Sequence, residues 1–154
     1  MKEIPLIDTN LLLLVVIGSV DHGSFISSSK RLTDFTFDDY KMLMSYISKF
    51  QNFATTPYIL TEVSNLLDLH DSAADEAYKT LQAITELADV IEVIPRNDTQ
   101  HSHFLQYGIT DANILDIALT RPVVTNDIRL ASIAYSLCPD ENIVPWYLLK
   151  NRMD

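Results

Sequence analysis

The sequence predicts an α/β fold: a largely parallel sheet covered by helices on both faces. Three observations point there. Short apolar runs recur between longer segments of helical periodicity. Pro57, Ser72 and Thr110 stand where helices should begin, each suited to a first turn or cap. And 154 residues, 47% hydrophobic with only three Gly and six Pro, suit one globular domain rather than a disordered chain.

The elements follow in order. Ile4–Asp8 is a short buried strand, and Thr9–Ile17 an apolar helix buried nearly all round. Ser19–Asp34, with SSSKR at Ser27–Arg31, is polar and expected to form an exposed loop. Phe37–Phe50 is an amphipathic helix. Phe53–Thr56 is a strand, and Pro57 opens a helix to about Leu69. Ser72 caps the next, to about Leu87, and Val90–Ile94 is strand-like. Thr99–Tyr107 is helical, with Gly108 as its stop. Thr110 caps Asp111–Leu119, Pro122–Thr125 is a strand, Asp127–Leu137 a helix, and Ile143–Val144 a last strand.

Composition narrows the function. No run approaches the roughly 20 apolar residues a membrane helix needs, and Glu3, Asp8 and Asn10 interrupt what a signal peptide would keep apolar. The lone Cys138 excludes an intrachain disulfide and fits a reducing cytoplasm. A formal net charge of −10 argues against a broad, unspecific nucleic-acid surface. It leaves room for an acidic metal site, where the metal meets phosphate.

Some acids fall where a solvated charge does not belong. Asp111 shares a helical face with Ile114, Leu115 and Ala118, and Asp127 with Leu130, Ala131 and Ala134. Glu62 lies between Ile59, Leu66 and Leu69. Asp8 and Asp127 each follow a strand, where open α/β sheets gather ligands. Asp39 passes the same test, with Met42, Leu43 and Tyr46 on its face, but acids in a first turn also answer the helix dipole. Taken singly, each acid has a structural explanation as a cap or surface charge. Four of them in one crevice would raise one another's pKa unless a divalent cation such as Mg²⁺ or Mn²⁺ lay between them.

IDTN (Ile7–Asn10), TPYILTEVSNLL with Glu62, GITDANILDIAL with Asp111 and VVTND with Asp127 together resemble the PIN-domain nucleases, in the order and spacing of the toxin-type members of toxin–antitoxin pairs. The resemblance spans nearly the whole chain. It implies an α/β/α three-layer sandwich and a metal-dependent endoribonuclease of the cytoplasm, yielding 5′-phosphate and 3′-hydroxyl ends. It implies Asp8, Glu62, Asp111 and Asp127 as the catalytic quartet, with Asn10, Thr125, Asn126 and Asp116 as polar supports. It implies RNA as substrate, an antitoxin protein as partner, and self-association. One departure stands out: the segment from Ser19 to Phe50 is longer than the family leads one to expect.

In such a site Asp8, Asp111 and Asp127 hold the metal, while Glu62 either binds metal or orients the attacking water. Arg129, near the site, is the candidate for gripping substrate; Arg121, at the other end of its strand, is discounted. Lys30 and Arg31 belong to the polar loop. His101 and His103, two residues apart, do not share a helical face and make no zinc pair. Tyr46, Phe50 and Trp146 are expected in the core. The reading from another class is a non-catalytic metal-binding or protein-interaction module. A phospho-acceptor domain lacks its Lys after VVTN or IVP, and an aspartyl phosphatase lacks a second Asp at Asn10.

Overall fold

The computed structural model describes residues 3–153, without the side chain of Met153. Five strands form one all-parallel sheet: β1 (Leu6–Ile7), β2 (Ala54–Thr55), β3 (Asp89–Val90), β4 (Val123–Thr125) and β5 (Ile143–Pro145), in the order β3-β2-β1-β4-β5. In the centre, Leu6 lies opposite Ala54 on one side and Val123 on the other, and Ile7 opposite Val124. Helices cover both faces, giving the three-layer α/β/α sandwich: α1 (Thr9–Gly18), α2 (Phe37–Ile47), α3 (Pro57–Leu66), α4 (Asp71–Leu87), the single turn α5 (Pro95–Asp98), α6 (Phe104–Ile117), α7 (Ile128–Leu137) and α8 (Trp146–Met153). Among the described residues no helix is long and apolar enough to cross a membrane.

Strands of two or three residues hold few ladder bonds, so packing sets the sheet. Leu11–Ile17 of α1 are all buried. That explains an apolar run with no polar face: α1 packs on β4 and beneath α2, α3 and α4 together. Gly18 lets α2 approach, since a methyl group there would enter the ring of Tyr40. The strand order matters most for the site. The chain builds outward from β1 through β2 to β3, then crosses to the other side of β1 for β4 and β5. The crevice between the ends of β1 and β4 is therefore the topological switch point, where such sheets bind ligands.

Several expectations need correction. Ser19–Asp34 is not an exposed loop. It forms three short 3₁₀ turns, Val20–Gly23, Ile26–Ser28 and Lys30–Leu32, and buries Val20, Gly23, Ile26, Ser29 and Leu32 at a spacing of three. The run is broken by left-handed Asp21 and His22 and by extended Ser29, yet all three turns pack against α1. Ser72 does not cap α4, which starts at Asp71 behind His70. Helix α3 ends at Leu66, where Leu67 turns extended, and β3 covers only the start of VIEVI. The helix expected over Thr99–Tyr107 begins only at Phe104, and Gly108, with φ 86° and ψ 177° outside helical geometry, breaks it from the helical segment that carries Asp111. A left-handed φ is open to glycine without steric cost. Helix α8 lacks an expected counterpart; its Trp146 and Leu149 are buried, and its Lys150 Nζ lies 3.0 Å from Asp39 Oδ1.

Candidate active site

Asp8 follows β1 directly and begins α1. Its backbone N–H donates to Val124 O across the sheet (3.0 Å), which fixes it beside the end of β4. Its side chain is buried, yet both oxygens are met: the Thr9 N–H donates to Oδ1 (2.7 Å) and the Thr125 hydroxyl to Oδ2 (2.6 Å). Thr125, the last residue of β4, also accepts the backbone N–H of Asp127 (3.0 Å). One buried hydroxyl thus ties the two strand-end acids together. Asp127 caps α7, accepting the Leu130 N–H at 3.0 Å.

Glu62 comes from α3, the helix after β2. The Thr9 hydroxyl donates to its Oε2 (2.9 Å) and the Thr110 hydroxyl to its Oε1 (2.7 Å). Thr9 and Thr110 flank Asp8 and Asp111 in the chain, so these bonds bring Glu62 to both. Asp111 lies just past the Gly108 kink in α6. The Arg129 guanidinium donates to its Oδ2 at 3.2 Å and stands 3.8 Å from Asp127 Oδ2.

Asp8 and Asp111 feel the other acids. Burial pushes the Asp111 carboxyl up to about 7, and the charges of Asp8, Asp127 and Glu62 push the same way, against Arg129. Asp8 is raised by burial too; the Thr125 and Thr9 donors oppose this, while Asp127 and Glu62 add to it. Four carboxylates from four separate stretches of chain therefore share one crevice, and among the described residues Arg129, half-exposed, is the guanidinium that contacts them.

The supporting residues divide. Thr125 is central. Asn126 is half-buried beside Asp127, and Asn10 is exposed on the first turn of α1. Asp116 turns elsewhere: its Oδ1 lies 3.6 Å from His101 Nε2, and it is not among the charges acting on Asp111. Arg121 sits at the opposite sheet end, paired with Asp89 at 2.9 Å. Lys30 and Arg31 are exposed and Trp146 is buried. A cavity of about 630 Å³ lined by Phe25, Ser28, Lys30, Asp68, Leu69, His70 and Asp71 holds none of the quartet.

Three contributors escaped the sequence. The sequence shows Thr9 as a helix start and Thr110 as a cap, not as the pair that holds Glu62. Tyr107 carries the Arg129 guanidinium on its ring face, 4.6 Å from the centroid. It precedes Asp111 by four residues, but the kink at Gly108 breaks the helical register that would relate them.

Among the described residues no three carboxylate, imidazole or thiol groups are placed to ligate an ion as they stand. Asp111 pairs with Arg129, and Glu62 accepts two hydroxyls. The donor chemistry nevertheless fits a hard divalent cation. A carboxylate offers about four lone-pair directions, and Asp8 uses two of them. Arg129 offsets only part of the clustered negative charge. No family model matches the chain, and no curated protein or solved structure does either.

Proposed function

We propose that the chain is a divalent-metal-dependent endoribonuclease of the PIN type that its sequence resembles, with Mg²⁺ or Mn²⁺ as cofactor. The observation that supports it is the meeting of Asp8, Glu62, Asp111 and Asp127 at the switch point, where burial and the neighbouring acids push Asp8 and Asp111 up. Asp8, Asp111 and Asp127 would hold the metal. A bound divalent ion supplies hydroxide at neutral pH and stabilises the charge that develops on a phosphodiester. Thr125 fixes Asp8 relative to Asp127. Glu62, steadied by Thr9 and Thr110, would orient the attacking water and accept its proton. RNA as substrate, a cytoplasmic antitoxin as partner and self-association rest on the resemblance.

The test is cleavage of single-stranded RNA, with matched DNA alongside. Mg²⁺ or Mn²⁺ should support RNA cleavage to 5′-phosphate ends, and EDTA should abolish it. Asp8→Asn and Asp111→Asn should each cut the rate by more than about a hundredfold, beyond the usual loss of an outer-shell partner, while circular dichroism stays unchanged. The contact between Arg129 and Asp111 favours a second reading, a non-catalytic module whose cleft stays closed. That module would cut neither nucleic acid with any divalent ion.

A further inference from the structure

We propose that Arg129 is a built-in counter-ion competing with the divalent cation for the acidic cleft, so that metal binding is an exchange in which the guanidinium leaves Asp111 and Asp127. The inference rests on the metal-dependent reading above and adds to it a residue that sets how readily the ion enters.

Four observations carry it. First, the guanidinium contacts two of the three acids assigned to the metal, at 3.2 Å and 3.8 Å. Second, it sits at the wrong end of its own helix. Arg129 is in the first turn of α7, where the helix dipole disfavours a cation. The carboxylates hold it there, and once a metal neutralises them the dipole favours its departure. Third, the side chain is 57% exposed, so it moves into water without uncovering a core. An exposed pair is a weak one, as an exchangeable ion requires. Fourth, the guanidinium has a seat besides the acids, on the face of Tyr107, whose ring stacks on His103 at 5.9 Å. Arg can bridge carboxylates and lie flat on a ring together; Lys cannot.

An internal competitor scales apparent affinity down to the fraction of molecules in which it is unseated. For a pair of this exposure, removing it should tighten metal binding about fivefold. The experiment is isothermal titration of Mn²⁺ into the full chain at pH 8.0, for the wild type, Arg129→Gln, Arg129→Lys and Arg121→Gln. Arg121→Gln removes the same charge from the far end of the sheet and should leave the affinity unchanged. Arg129→Gln should bind Mn²⁺ about fivefold tighter, with Arg129→Lys between it and the wild type. In melts, Arg129→Gln should lower stability in EDTA and show a larger Mn²⁺-induced rise than the wild type. Equal or weaker Mn²⁺ affinity in Arg129→Gln, or an equal gain in Arg121→Gln, overturns the exchange and leaves the metal-dependent reading standing. Failure of every protein to bind Mn²⁺ overturns that reading, and the exchange with it.

Discussion

Asp39 and Asp8 are buried alike, at 2% and 7% exposure, and both stand at the start of a helix. Their surroundings differ in sign. Asp39 accepts the Thr36 N–H and hydroxyl on Oδ2, at 2.8 Å and 3.1 Å, and faces the Lys150 ammonium with Oδ1 at 3.0 Å. It closes a capping box and pins α8 to α2, and its charge has a partner of opposite sign. Asp8 accepts only from neutral donors, and the charges acting on it are those of Asp127 and Glu62. Burial and capping are thus common to a structural acid and a candidate ligand. What separates them is whether the fold itself supplies the balancing charge.

Matched substitutions put that contrast to its strongest test. Asp39→Asn removes the partner of Lys150 and should cost about 1–2 kcal/mol of stability. Asp8→Asn keeps an acceptor for the Thr9 N–H and takes one charge out of a crowd of acids. In EDTA its stability should stay within about 0.5 kcal/mol of the wild type. Urea denaturation measures both, and Asp39→Asn should retain cleavage. Should Asp8→Asn prove the more damaging to the fold, Asp8 is a structural cap like Asp39 and the contrast fails.

The pH dependence of stability sharpens the same contrast. The folded Asp111 carboxyl, at about 7, lies well above its ordinary value of 3.8. Between those two values the folded chain holds a proton that the unfolded chain has released. Its contribution to stability is therefore complete below the lower value and is lost as pH rises through about 7. Asp8, raised in the same direction, adds to the trend. Melting temperature in EDTA should fall across this window. Asp111→Asn should flatten the fall, and saturating Mn²⁺ should flatten it in the wild type by supplying the missing positive charge. A wild-type profile in EDTA that rises from pH 4 to 7 contradicts the direction assigned to Asp111.

How much of this was legible follows from which period each segment obeys. Helices of period 3.6 and the buried strands announced themselves, because Leu11–Ile17 admits no polar face and VVT no other place than a covered sheet. The segment from Ser19 to Asp34 obeys a period of three, and a search tuned to 3.6 and 2 sees only its serines. At the site, Glu62, Asp111 and Asp127 show as acids on apolar faces, and Asp8 and Asp127 as acids at strand ends. Asp39 passed the same filter, because a side-chain pattern along one helix carries no information about a partner on another. Lys150 answers Asp39 from a helix that the sequence did not announce. The sequence puts Arg129 beside the site, but its seat on Tyr107 depends on a kink whose consequence in space the sequence does not state.

The smallest expected effect concerns how the cleft keeps Glu62 in place. Its two oxygens each accept one hydroxyl, from Thr9 in α1 and from Thr110 in α6, so two helices hold a side chain that belongs to a third. Thr9→Val and Thr110→Val keep side-chain volume and remove one bond each, at about 1 kcal/mol of stability apiece. Rates should respond more, since a carboxylate that swings no longer aligns a water; about tenfold per substitution is the scale of losing such an outer-shell contact. The two losses should not multiply. Once one hydroxyl is gone the carboxylate rotates about its remaining bond, so the second removal takes away less than the first did. A double-mutant cycle on cleavage rates reads this as a coupling of about 1 kcal/mol. Strict additivity would mean that each hydroxyl acts on its own neighbour, Asp8 or Asp111, and that α3 alone aims Glu62, as the two ends of its capping box aim Asp39 from within α2.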